Sequence, residues 1–145
     1  MPMHQTTVGE YMTRDVTTIT ADLKVDVAIE TMRNANVRRL PVVSRVGDRV
    51  IGIITLADAE AAMPRGASFM GAAEEIPEIK EVMTDDPVMI GPGETLGRAA
   101  QLMVNHKIGA LPVVDDGRIA GIITESDLFR FIVKQFQDGG AASGA

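Results

Sequence analysis

The fold is decided by a stretch that occurs twice, as GIITLAD at residues 52–58 and as GIITESD at residues 121–127. Two shorter motifs precede both copies in the same order. They are Met-Thr at residues 12–13 and 83–84, and Leu-Pro-Val-Val at residues 40–43 and 111–114. Several motifs that recur in one order indicate two copies of a single folding unit.

Each copy has the same predicted order of elements: strand, helix, strand, strand, helix. A β-branched run at residues 17–20 predicts the first strand. Apolar residues at helical spacing predict the helix that follows, at Val25, Ala28, Ile29 and Met32 and again at Leu96, Ala99, Ala100 and Met103. One unit of about 55 residues is marginal alone. We therefore expect a mixed α/β fold of two β-α-β-β-α repeats, related by a pseudo-twofold axis and sharing one core.

The order of motifs also predicts the division of the chain. We expect repeat 1 at residues 8–63, a linker at 64–77, repeat 2 at 78–136 and a disordered tail at 137–145. The tail is expected to be disordered because Gly, Ala and Ser dominate it.

Composition excludes several classes of protein. The 145 residues carry a net charge of −6, with four Phe, one Tyr and no Trp, which disfavours a nucleic-acid partner. The absence of cysteine excludes disulfides and thiolate metal sites. No run approaches the roughly 18 apolar residues of a membrane span, and the first residues lack the pattern of a signal peptide. We expect a cytoplasmic protein without a membrane partner.

The duplicated motifs resemble the tandem cystathionine-β-synthase (CBS) domain pair, also called a Bateman module, over residues 8–134. The resemblance implies two clefts that bind adenosine-containing ligands, with AMP, ADP or ATP as the expected regulatory ligand. It also implies sensing rather than catalysis, a homodimer, and a regulated enzyme or transporter elsewhere. Two alternatives stay open. The chain could sense S-adenosylmethionine, or serve as a dimerisation module with degenerate clefts.

The chemistry of the Thr-x-x-Asp motif fits this resemblance. A carboxylate can accept hydrogen bonds from both ribose hydroxyls, and a helix N-terminus favours an anion. The family pattern gives Asp127 the ribose and places Thr124 and Ser126 near the phosphate, with Thr55 and Asp58 at the equivalent positions of the first copy. The competing interpretation is a plain helix N-cap.

In the family pattern, each cleft combines the Leu-Pro segment of one copy with the Thr-x-x-Asp motif of the other. The cleft with two arginines is expected to prefer phosphates, and it comprises Thr17, Thr18, Ile19, Val37, Arg38, Arg39, Pro41, Ile122, Thr124, Ser126 and Asp127. The second, weaker cleft comprises Thr55, Asp58, Val88, Met89, Ile90, Ile108, Gly109, Ala110 and Pro112.

Two further expectations concern catalysis and assembly. There is no phosphate-binding loop and no catalytic set in recognisable context, so we expect no enzymatic activity. His106 has no partner at metal-ligand spacing, so no metal site is expected. The last helix carries more apolar residues than one internal face needs, and this excess predicts the homodimer. The apolar residues of this helix are Leu128, Phe129, Ile132, Val133 and Phe136.

Overall fold

The computed structural model of the chain divides into two compact units. The central unit comprises Thr17–Pro87, and the terminal unit comprises Met1–Val16 together with Val88–Ala145. The structure describes residues 1–46, 48–65 and 75–143, with side chains to residue 139. Most of the expected linker, residues 66–74, lies outside the described residues.

Helices and strands are both present along the described chain. In order they are α1 (Val8–Tyr11), β1 (Ile19–Thr20), α2 (Val25–Ala35), β2 (Arg39–Val43), β3 (Val50–Thr55), α3 (Leu56–Ala62), α4 (Ile79–Val82), β4 (Thr84–Asp85), α5 (Leu96–His106), β5 (Ala110–Asp115), β6 (Arg118–Thr124) and α6 (Glu125–Ser143). The mixed α/β class predicted from the sequence is confirmed.

The central unit is built on a four-stranded sheet in the order β1-β2-β3-β4. β1 is parallel to β2, since α2 forms the crossover between them, while β2, β3 and β4 pair antiparallel. The predicted apolar stripe of α2 is buried, and α2 ends where Asn36 adopts a left-handed conformation. The core of this unit consists of Ile19, Val25, Ala28, Ile29, Met32, Leu40, Val42, Ile54, Ala59 and Ile79.

The terminal unit has the same arrangement, but single-residue bridges replace the edge strands of its sheet. β5 and β6 form an antiparallel pair, Ile90 bridges Val113 in parallel, and Thr13 bridges Ile122 antiparallel. Its core consists of Val8, Met12, Ile90, Leu96, Ala99, Met103, Leu111, Val113, Ile123, Leu128 and Phe131. Each unit therefore has its own cluster of buried apolar side chains.

The leading helix of each sequence repeat lies in the unit formed mainly by the other repeat. In the terminal unit, the Val8 amide donates to the Glu94 carbonyl at 2.8 Å. In the central unit, the Ile79 amide donates to the Leu23 carbonyl, also at 2.8 Å. Val8 and Ile79 are fully buried. Sequence repeats and compact units thus divide the chain differently.

A reciprocal hydrogen-bond pattern begins both leading helices. Thr7 and Glu10 form a capping box at the start of α1, in which the Thr7 amide donates to the Glu10 carboxylate at 2.7 Å. This bond lowers the pKa of Glu10. In α4 the Glu78 amide donates to Glu81 in the same way. In both short helices, a glutamate of the first turn thus accepts a hydrogen bond from the residue that precedes the helix.

The tail expected to be disordered is helical in the structure. α6 continues past Phe136 to Ser143, and only residues 144–145 lie outside the described part. No proline follows Pro112 to end the helix, and Ala141 and Ala142 are strong helix formers. The expectation from Gly-rich composition was wrong because glycine weakens a helix without necessarily ending it.

The glycine of each Gly-Ile-Ile-Thr motif makes room for a Met-Thr segment. A Cβ on Gly121 would lie 2.6 Å from the Thr13 carbonyl oxygen and 2.9 Å from the Met12 sulfur. A Cβ on Gly52 would lie 2.5 Å from the Met83 sulfur and close to the Thr84 carbonyl oxygen. The Met-Thr and Gly-Ile-Ile-Thr motifs are therefore two sides of one contact within each unit.

We expect Gly121→Ala to lower the free energy of unfolding by about 1–3 kcal/mol, because the new methyl group overlaps backbone that pairs with β6. Gly93→Ala is the matched control, since no atom lies within 4 Å of its added Cβ. That control should be neutral or slightly stabilising. Equilibrium denaturation of the two variants measures the difference. Equal stabilities would contradict the tight contact.

Candidate ligand-binding site

A threonine caps the helix that follows the last strand of each unit. In the central unit, Thr55 Oγ1 accepts a hydrogen bond from the Asp58 amide at 3.1 Å. In the terminal unit, Thr124 Oγ1 accepts one from the Asp127 amide at 3.3 Å. Both threonines therefore act as helix N-caps, and the ligand role of the motif stays a prediction. The two aspartates differ in what their carboxylates contact.

The Asp127 carboxylate is buried, and each of its two oxygens contacts a partner within the protein. Its residue is 1% exposed. Oδ2 accepts hydrogen bonds from the Thr124 amide at 2.8 Å and from the Thr124 hydroxyl at 3.1 Å. Oδ1 is paired with the guanidinium of Arg130. A buried carboxylate needs such partners, because burying an uncompensated charge is costly.

The Asp58 carboxylate is exposed. In the part of the chain that the structure describes, it makes no hydrogen bond or ion pair with another side chain. The position that corresponds to Arg130 is occupied by Ala61, which has no donor to offer. The carboxylate of the central unit is thus open to solvent at the start of α3.

Two arginines lie at the same end of the central sheet as Thr55. Arg39 is the register partner of Thr55 across β2 and β3, and the Leu56 amide donates to the Arg38 carbonyl at 2.7 Å. Arg38 is exposed and Arg39 is half-buried. The hairpin therefore brings this arginine pair to the Thr-x-x-Asp motif of its own repeat. Its assignment to the site of Asp127 stays a prediction.

The terminal unit has the same backbone arrangement without the positive charges. Ala110 is the register partner of Thr124, and the Glu125 amide donates to the Gly109 carbonyl at 3.0 Å. Small, uncharged residues thus stand where the central unit has arginines. The two units therefore differ in the charges around their capping threonines.

The other residues predicted for the two clefts are divided between the units. The central unit contains Thr17, Thr18, Ile19, Val37 and Pro41, and the terminal unit contains Val88, Met89, Ile90, Ile108, Pro112, Ile122 and Ser126. Ile19, Pro41, Ile90, Pro112 and Ile122 are buried and pack within their sheets. Met89 and Ser126 are exposed.

Sequence analysis missed Arg130. Arg130 lies three residues after Asp127, and this spacing places the two side chains on one face of a helix. The opposite charges at this spacing were the available clue.

In the described ranges, no group of three or more His, Asp or Glu side chains could hold a metal ion. No helix in those ranges combines the length and apolarity needed to cross a membrane.

The CBS domain family matches this chain twice, at residues 8–64 and 79–134. Among curated proteins, the uncharacterized protein MJ1225 of Methanocaldococcus jannaschii is 37% identical over 131 residues. That match covers 86% of this chain and 46% of MJ1225, so the chain spans less than half the length of this relative.

Solved structures of CBS domain pairs share the fold. The CBS domain pair of protein MJ0100, in complex with 5′-methylthioadenosine and S-adenosyl-L-methionine, is 26% identical with a TM-score of 0.78 and covers 92% of this chain and 99% of that one. CBSX2 in complex with AMP is 26% identical with a TM-score of 0.76 and covers 89% of this chain and 97% of that one. Because the family matches span both repeats, the chain belongs to the CBS domain family.

Proposed function

We propose that the chain is a non-catalytic regulatory module that binds an adenosine-containing ligand. The observation that carries this proposal is the exposed Asp58 carboxylate at the start of α3, at the sheet end where Arg39 pairs in register with Thr55. Family membership supports it, since similar domain pairs hold AMP in one case and 5′-methylthioadenosine with S-adenosyl-L-methionine in another.

Each group has a distinct task in this proposal. The Asp58 carboxylate accepts hydrogen bonds from the two ribose hydroxyls, with charge assistance. In this proposal Arg38 and Arg39 attract the phosphate of a ligand at Asp58 instead of the expected one at Asp127, since they lie at the sheet end of Thr55 and guanidinium groups match phosphate geometry. Thr124 and Asp127 form the corresponding position of the terminal unit, where the equivalent of the arginine pair is uncharged.

The charges favour nucleotides over S-adenosylmethionine at Asp58. AMP, ADP and ATP bring negative charge to the arginine pair. S-adenosylmethionine has no phosphate and carries a net positive charge, so it gains less from Arg38 and Arg39. We therefore propose AMP, ADP or ATP as the ligand of the central unit.

We further propose that the chain acts as a cytoplasmic homodimer that regulates a separate enzyme or transporter. Four large apolar side chains of α6 are exposed: Phe129, Ile132, Val133 and Phe136. A contiguous apolar stripe of this kind is typical of a protein interface, and twofold closure is the commonest arrangement. The same stripe favours the second candidate function, a dimerisation module with degenerate clefts.

Calorimetric titration tests the ligand proposal. We expect Asp58→Ala to weaken AMP binding roughly 10- to 100-fold, because it removes charge-assisted hydrogen bonds to ribose. Arg38→Ala should weaken AMP more than adenosine, which has no phosphate. Asp26→Ala is the control, since it also removes an exposed acid from the first turn of a helix. No heat with any adenosine compound at millimolar concentration would favour the dimerisation module.

Sedimentation velocity tests the homodimer. At micromolar concentration the unmodified chain should sediment as a dimer, and Phe136→Asp should shift it toward monomer because a charge cannot be buried unpaired. Val46→Asp is the control, since Val46 is 84% exposed in a turn and Phe136 is 79% exposed on α6. A strictly monomeric unmodified chain would refute the proposal.

A further inference from the structure

We propose that Arg130 decides which of the two aspartates receives a ribose. By holding the Asp127 carboxylate, Arg130 competes with the ligand in the terminal unit, so that Asp58 is occupied first. This inference rests on the proposed function, because it concerns the same ligand class.

The acceptor capacity of Asp127 is largely used within the protein. A carboxylate offers about four acceptor positions. The amide and hydroxyl of Thr124 occupy Oδ2, and the guanidinium of Arg130 is paired with Oδ1. Because Thr124 already uses both positions of Oδ2, the two ribose hydroxyls have to be accepted at Oδ1, and one of them needs the position that Arg130 holds. Asp127 is 1% exposed and its Oδ1 is paired with Arg130, so a ribose at Oδ1 competes with this arginine.

Arg130 is a displaceable partner rather than a permanent one. Its side chain is 62% exposed, although that of Asp127 is buried. On leaving the carboxylate, the guanidinium is solvated by water, which recovers much of the lost interaction. The contact therefore lowers the affinity of Asp127 for a ligand without abolishing binding.

The central unit lacks this competitor. Ala61 stands at the position of Arg130, three residues after Asp58, and the Asp58 carboxylate is exposed. Thr124 also donates to the Asp127 carboxylate through its amide and its hydroxyl, so the arginine is the charged part of the difference between the two carboxylates. Exchanging these two residues should exchange the behaviour of the two positions.

Adenosine is the appropriate probe, because it presents a ribose without a phosphate that a released Arg130 could bind. In an Asp58→Ala chain, only the terminal unit retains its aspartate. There we expect Arg130→Ala to tighten adenosine binding roughly three- to tenfold in calorimetry. Lys134→Ala is the matched control, since it removes an exposed positive charge from the same helix and should leave the affinity unchanged.

The reciprocal variant tests the central unit. Ala61→Arg in the otherwise unmodified chain should weaken its tighter adenosine-binding event by a similar factor, because the new arginine reaches Asp58 at the same helical spacing. This arm remains decisive if Arg130→Ala does not fold.

The outcomes separate this inference from the proposed function. If the unmodified chain binds neither adenosine nor AMP, the proposed function fails. If the unmodified chain binds, but Arg130→Ala fails to tighten adenosine binding in the Asp58→Ala chain, the inference is overturned. An Ala61→Arg chain with unchanged affinity overturns it as well. Tightening in the first arm and weakening in the second support it.

Discussion

The rest of each unit depends on the contact between a Met-Thr segment and a glycine in a strand. In the terminal unit Thr13 pairs with Ile122 through two hydrogen bonds, of 2.9 and 3.0 Å, and the Met12 side chain lies over Gly121. The pair β3 and β4 repeats this arrangement at Gly52. Any larger residue would push the segment off the strand that carries the threonine cap. In each unit, therefore, the strand that contains the closely packed glycine also ends at the threonine of the candidate site.

From this strand the two units diverge in electrostatics. The Thr-x-x-Asp backbone is the same, since both threonines cap the next helix. The side chains around it are not. The central unit has an arginine pair and an exposed carboxylate, whereas the terminal unit has a carboxylate held by Arg130. One duplicated scaffold thus presents two carboxylates with different access, because different side chains surround the same helix cap.

Much of the fold was predictable from local patterns, because periodicity and turn residues report on neighbours along the chain. The buried stripe of α2 and the strand–helix–strand–strand–helix order follow from such signals. The placement of α1 in the terminal unit does not, since it depends on contacts between distant residues. The helix beyond Phe136 was not predicted, because the glycines of this segment were taken as a sign of disorder although no proline ends the helix. In the site, the caps at Thr55 and Thr124 were predictable. The register that brings Arg39 to Thr55 and the contact of Arg130 required the structure.

The Met-Thr segment of one repeat completes the unit formed mainly by the other repeat. Thermal unfolding of two fragments of similar length tests it most directly. The fragment of residues 17–87 contains the whole central unit, including the buried Ile79. The fragment of residues 1–70 contains the first sequence repeat but lacks α4 and β4. We predict cooperative unfolding for residues 17–87 and none for residues 1–70. Cooperative unfolding of residues 1–70, with none for residues 17–87, would contradict the account.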